Sequence, residues 1–162
     1  MWTSGYAKNT PLATHVRYLN IGRQLAGDAN SNFYTTAAQF VHQSSPSLLA
    51  VWKPPLLALL TNIGSAAKSP PTWNISGSEK LFKSKEKVVD ILTCVAFTAD
   101  DNGGLSIVAE GGLPKVLLPA SIIPTTGRGA LCSNGSASFA KHSLFSLLPF
   151  PFLYFIFIIL AI

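Results

Sequence analysis

Charge is scarce in this chain: Asp, Glu, Lys and Arg together make up 12% of its 162 residues, roughly half the share usual in globular domains. Acids are the rarer sign, seven against twelve Lys and Arg, and no charged side chain follows Lys141. The net charge of +5 is spread thinly. Residues 1–78 hold five basic side chains and Asp28, residues 79–118 five lysines among six acids, and residues 119–162 only Arg128 and Lys141. A nucleic-acid footprint is a concentrated basic stripe or patch, so no nucleic-acid partner is expected. Cysteine occurs twice, at Cys94 and Cys132, which is too few for a zinc site and not a CxxC pair. The N-terminus, MWTSGYAKNTPLATHVRYLNIG, has no positive segment followed by an apolar run. Without that entry signal the thiols are expected to be reduced and to face the cytosol. For the same reason the acceptor triplets Asn74-Ile75-Ser76 and Asn134-Gly135-Ser136 carry little weight as glycosylation sites.

Catalytic constellations are also missing. Asp28, Glu79, Glu86, Asp90, Asp100, Asp101 and Glu110 show no spacing that argues paired acid–base work. His15, His42 and His142 are far apart and form no HExxH pair. No GxSxG elbow or P-loop occurs. Cys94 falls on an apolar stretch, where a buried inert thiol is expected rather than a nucleophile. Asp100-Asp101-Asn102-Gly103-Gly104 has calcium-like residue types but lacks the twelve-residue loop and closing Glu of an EF-hand, and a polar turn explains it. No catalytic, cofactor-binding or metal-binding residue is assigned, no cofactor or small-molecule substrate is expected, and the chain is expected not to be an enzyme.

What the chain has in plenty is apolar sequence, with a mean hydropathy of +0.35. A short amphipathic piece runs over His15–Leu25, limited by Gly22 and Gly27. Asn32 to His42 reads as a helix capped by Asn32, with Phe33, Ala37, Phe40 and Val41 near helical spacing. Leu48–Leu60 is a dense apolar block in which Lys53-Pro54-Pro55 forces a break, giving two short helices or a kinked pair. Residues 64–78 are a loop by composition, with Trp73 its one sticky residue. A further helix is expected after Ser78, with Val88, Ile91, Leu92 and Val95 as its apolar stripe and Lys80, Lys83, Lys85 and Lys87 on a solvated face. The expected fold is therefore mainly α: a small helical bundle or repeat-like body over residues 32–118, between a flexible N-terminal segment (1–31) and a linker (119–143). An apolar C-terminal helix (144–162) follows the linker.

From Val88 the sequence runs VVDILTCVAFTADDNGGLSIVAEGGLPKVLL, and this segment, 88–118, resembles the second half of an armadillo (ARM/HEAT-like) helical repeat. Val89–Phe97 matches its first helical element, Asp100–Gly104 the polar turn and Leu105–Glu110 the next helix. Gly111-Gly112-Leu113-Pro114 matches the sharp corner and Lys115–Leu118 the start of the last helix. Glycine past a helix end takes the left-handed conformation without steric cost, and proline in the next first turn loses no bond. Ala109-Glu110 reverses the family's acid–Ala order, and Pro119 cuts the last helix short. The resemblance implies a non-catalytic protein–protein interaction module with an unidentified protein partner.

Leu144–Ile162, LFSLLPFPFLYFIFIILAI, is close to the length that crosses a bilayer. It is expected to tether the module to a membrane, with the body facing the cytosol; a cytoplasmic protein is the alternative location. Small residues at Ser133–Ser138, a short spacer and the apolar run also match the order of a glycolipid-anchor signal. Two other readings remain open: a small integral membrane protein, and a truncated or alternative product of a larger helical-repeat protein.

Overall fold

A computed structural model describes residues 11–41, 46–127 and 129–132. It is built mainly of strands. The elements are helix α1 (Pro11–Ala29) and strands β1 (Gln39–Val41), β2 (Leu48–Lys53), β3 (Leu56–Thr61), β4 (Thr72–Ile75), β5 (Lys87–Asp90), β6 (Ala96–Thr98), β7 (Leu105–Val108) and β8 (Lys115–Pro119). Six strands form one antiparallel sheet in the order β1-β2-β3-β8-β5-β6, and β4 and β7 pair in a second, two-stranded sheet. Strand β8 thus enters between β3 and β5, closing a topology in which sequence neighbours separate.

The large sheet is apolar on both faces. One face carries Leu48, Ala50, Trp52, Leu57, Leu59, Val88 and Leu117 against Trp73, Ile75, Leu105 and Ile107 of the small sheet. The other carries Ile91, Val116 and Leu118 against Leu25 and Ala26 of α1, with Phe33 and Leu131 completing the cluster. The result is three layers: helix, large sheet, small sheet. In β2 and β3 burial alternates, but the face that α1 leaves open is apolar too, so the sequence lacks the polar–apolar alternation that marks a half-buried strand. That is why LLAVWK and LLALLT read as helices.

The mainly α expectation is therefore corrected. Leu48–Leu60 is a β-hairpin whose strands pair from Leu48↔Thr61 to Lys53↔Leu56, and Pro54-Pro55 is its two-residue turn. Within residues 32–42, the helix is replaced by a turn over residues 31–35 and by β1; His42 lies outside the described residues. Residues 64–78, expected to be a loop, contain β4, and Trp73, expected as the sticky residue of that loop, is fully buried in the core.

The armadillo-like segment is overturned in the same way. Val88 and Ile91 lie on opposite faces of the large sheet, in separate cores, so their helical spacing is coincidental. Leu105–Glu110 contributes β7, and Lys115–Leu118 belongs to β8, which Pro119 ends. Gly111, Gly112 and Pro114 do make a sharp corner, but it joins two strands through a 3-10 turn over Glu110–Gly112. Gly111 and Gly112 sit at φ 64° and 63°, and a Cβ on Gly112 would come within 2.5 Å of the Ile63 carbonyl oxygen. Both the left-handed backbone and the close approach require glycine there. Gly112→Ala is expected to destabilise the fold by about 1–3 kcal/mol, checked by urea unfolding with an unchanged m-value.

Helix α1 is longer than His15–Leu25 and runs through Gly22 and Gly27. Gly22 lies where the helix meets the sheet, because a Cβ there would collide with Ile91. The glycine that weakens the isolated helix is what lets it pack closely.

Cys94 and Cys132 are joined in a disulfide with a Cα–Cα distance of 5.2 Å. This corrects the reading of reduced, cytosol-facing thiols, since disulfides form and persist in oxidising compartments. Closing a loop across 38 residues contributes stability of about 4 kcal/mol in the chain-entropy account. The apolar segment 144–162, expected to be a tethering helix, lies outside the described residues. Among those described, no helix is long and apolar enough to cross a membrane.

Candidate interaction surface

Helix α1 covers only part of its face of the large sheet. Its cluster reaches Leu56 on β3 and Ile91, Val116 and Leu118 on β5 and β8. Beyond it, towards β1, the same face stays open. The register places Phe40 beside Val51, Val51 beside Ala58 and Leu49 beside Leu60. These five side chains share the α1 side because residues two apart on a strand point the same way. Phe40 is 79% exposed, Leu60 42% and Leu49 39%. None of the five is charged.

The rim of this strip is fixed by polar contacts. Lys53, at the end of β2, donates to the Thr36 carbonyl at 2.8 Å and places its ammonium 5.2 Å from the Phe33 ring centroid. The Asn30 side-chain amide donates to the Pro54 carbonyl at 2.9 Å, tying the end of α1 to the hairpin turn. At the opposite end of the hairpin, Val41, Leu48, Leu49, Leu60 and Thr61 line a groove of about 550 Å³. An uncharged sheet face with large apolar side chains left open beside a packed helix has the chemistry of an interface core.

The acidic side chains are occupied differently. Asp90 is fully buried. Its carboxylate accepts from the Val116 backbone N–H at 3.0 Å, the Leu92 N–H at 3.2 Å and the Thr93 hydroxyl at 2.6 Å. Its carbonyl accepts from the Cys94 N–H at 2.7 Å. Asp90 therefore shapes the turn that presents Cys94 to the disulfide. Asp100 accepts from the Asn102 and Gly104 N–H groups at 2.8 and 2.7 Å, ordering the β6–β7 turn. Glu86 accepts from the Lys83 N–H at 2.9 Å, and Asp101 pairs with Lys85 at 2.9 Å on the open surface. Among the described residues no group of three or more His, Cys, Asp and Glu side chains gathers to hold a metal ion.

Sequence reasoning assigned no site, and it passed over Phe40, Leu49 and Leu60 because it placed them inside helices. Two six-residue apolar runs separated by two turn-forming residues are a hairpin signal. That signal was present in LLAVWK-PP-LLALLT.

Comparison with known proteins adds a family. Residues 33–139 match the family described as "Alpha-amylase, domain C". The sequence is 30% identical over 131 residues to Alpha-amylase 1 of Schwanniomyces occidentalis, covering 78% of this chain and 25% of that protein. It is 28% identical over 131 residues to Alpha-amylase 2 of the same organism, with the same coverage. The structure resembles that of an alpha-amylase from Malbranchea cinnamomea with a TM-score of 0.68 and 29% identity, over 80% of this chain and 26% of that one. The chain thus spans about a quarter of the length of these relatives. With the strand architecture, these matches overturn the armadillo interaction module. With the disulfide, they also overturn its cytosol-facing membrane placement.

Proposed function

We propose, from the premise that the chain belongs to the alpha-amylase domain C family, that it is the non-catalytic β-domain of an alpha-amylase-type polypeptide. In this reading the open face of the large sheet, with α1, packs against the remainder of that polypeptide. The observation that carries this is the uncharged strip Phe40–Leu49–Val51–Ala58–Leu60, open beside α1 among the described residues, whereas the opposite face of the same strands is buried against the small sheet. The relatives are alpha-amylases about four times as long, so a domain of this kind has a large neighbour available to cover the strip.

The proposed division of labour agrees with the acids. Glycoside hydrolysis ordinarily needs two carboxyl groups flanking the scissile bond across an open cleft. Here Asp90 is sealed in the core, Asp100 and Glu86 are bound to backbone N–H groups, Asp101 pairs with Lys85, and Asp28, Glu79 and Glu110 are exposed on separate elements. The contribution of the domain is structural: it buries a face of the catalytic portion and shields it from unfolding.

The test is a chimera in which residues 11–132 replace the matching quarter of Schwanniomyces occidentalis Alpha-amylase 1. The chain alone is expected to show no alpha-amylase activity, and the chimera to be secreted and active. Phe40→Ser with Leu60→Ser in the chimera is expected to remove about 2–4 kcal/mol of interface stability, seen as faster thermal inactivation with unchanged KM. Activity in the isolated chain, or a chimera indifferent to both substitutions, would contradict the proposal.

A further inference from the structure

We propose that Asn74 is an N-glycosylation site. It stands at the head of the triplet Asn74-Ile75-Ser76, on the outer face of the small sheet. Strand β4 alternates strictly, with Trp73 and Ile75 buried inward and Asn74 exposed between them. Opposite Asn74 lies Ser106, likewise exposed. The Ser106 hydroxyl donates to the Asn74 side-chain carbonyl oxygen at 3.0 Å. The amide nitrogen, the atom a sugar would occupy, makes no hydrogen bond to another described residue. The side chain is held by its oxygen on an exposed position of β4, so the fold accommodates a glycan carried on its nitrogen.

Two further observations support the site. The Cys94–Cys132 disulfide places the chain in an oxidising compartment, where the transfer machinery for such triplets operates. Beside Asn74 runs a groove of about 460 Å³ with a mixed lining, polar at Ser76, Thr98, Asp100 and Ser106 and apolar at Ile75 and Leu105. Its hydroxyls and carboxylate suit the hydroxyl and acetamido groups of a first N-acetylhexosamine.

The transfer forms a bond between the Asn74 amide nitrogen and the anomeric carbon of a lipid-pyrophosphate-linked oligosaccharide. It breaks the bond from that carbon to the pyrophosphate oxygen. The lipid pyrophosphate leaves, and the amide nitrogen gives up one proton. No oxidant is involved. The acceptor reacts while extended and unfolded, and folding then puts the glycan on the solvent side of β4.

The location has a consequence for the domain. The small sheet is the layer opposite α1, so a glycan at Asn74 stands on the far side of the large sheet from the Phe40–Leu60 strip. It would leave the proposed docking face free and would cover the short two-stranded sheet, whose edges are open to unwanted pairing. The site itself does not depend on the docking proposal, because it requires only passage through the oxidising compartment.

The experiment uses the full polypeptide carrying this chain, expressed in a eukaryotic secretory host. Peptides spanning Asn74 and the Cys94–Cys132 pair are mapped in the same digest, before and after peptide N-glycosidase. In disulfide-bonded molecules Asn74 is expected to be converted to aspartate by the enzyme, with a downward gel shift. Asn74→Gln and Ser76→Ala lose the Asn74 glycan, whereas Ser76→Thr, which keeps the triplet, retains it. Asn134→Gln leaves it in place. Disulfide-bonded chains with unmodified Asn74 overturn the proposal. So does modification that survives Ser76→Ala, or a wild-type chain found only with reduced cysteines.

Discussion

Asp90→Ala is expected to destabilise the domain by about 3–5 kcal/mol, enough to unfold much of a marginally stable protein. The carboxylate is fully buried and answers three donors from two places. The Val116 N–H belongs to the neighbouring strand β8, the Leu92 N–H to the turn after β5, and the Thr93 hydroxyl to the same turn. Alanine leaves the buried Val116 N–H without an acceptor and removes the partners of the partly buried Leu92 N–H and Thr93 hydroxyl, which unties the turn from β8. Each orphaned buried donor costs about 1–3 kcal/mol. Asp90→Asn keeps an oxygen for the backbone donors and is expected to cost less than half as much. Its amide nitrogen can donate to the Thr93 oxygen instead. The measurement is the denaturation midpoint of both variants at constant m-value. The alanine variant should also form the Cys94–Cys132 bond more slowly on refolding, because the turn presenting Cys94 is built on Asp90. An alanine variant as stable as wild type would refute this account of the turn.

Trp73→Ala is the second large effect, expected at about 3–5 kcal/mol. Trp73 is fully buried between the two sheets, among the largest side chains so enclosed. It sits opposite Ile107 on β7, in the same core as Leu57, Leu59 and Leu117 of the large sheet. Removing the indole leaves a cavity that neighbours on two rigid sheets cannot fill. The contrast with Trp73→Phe is informative. The indole N–H is the one buried side-chain polar atom without a hydrogen-bond partner among the described residues, so the wild type already bears a desolvation cost there. Phenylalanine loses area but also that cost, and a penalty of about 1–2 kcal/mol is expected. Thermal unfolding followed by near-ultraviolet circular dichroism checks both. If phenylalanine and alanine prove equally damaging, the unpaired N–H is not the liability it looks to be.

Parts of this fold are legible in the sequence, and the failures have physical causes. The breaks at Pro54-Pro55, Asp100–Gly104 and Gly111-Gly112 can be read from residue chemistry alone. Proline, Asx side chains and left-handed glycine act locally, whatever lies on either side. What lies on either side is decided by tertiary packing. β8 is buried on both faces, and β2 and β3 carry apolar side chains on their open face as well as their core face, so these apolar runs lose the period-two pattern and match helical spacing by chance. Leucine, abundant in these strands, also prefers helices locally.

The error at Val88–Val95 has another source. Asp90 occupies a core position, and a charged residue is normally a solvent marker. Only the three donors that converge on it make its burial tolerable, and two of those come from a turn that no sequence pattern announces. The disulfide was equally hidden, since two cysteines 38 residues apart do not state their redox compartment. The interaction strip was invisible for a simpler reason. Phe40, Leu49 and Leu60 share a face only once three strands are in register.

The central claim is that the open face of the large sheet is covered by the rest of an alpha-amylase-type polypeptide. Hydroxyl-radical footprinting tests it most directly, by comparing the isolated chain with the alpha-amylase chimera. Phe40, Leu49 and Leu60 should be oxidised readily in the isolated chain and protected in the chimera. Val108, exposed on the opposite small sheet, should react equally in both. Phe40 and Leu60 reacting as fast in the chimera as in the isolated chain, while Val108 becomes protected, would place the interface on the wrong side of the domain and contradict the account.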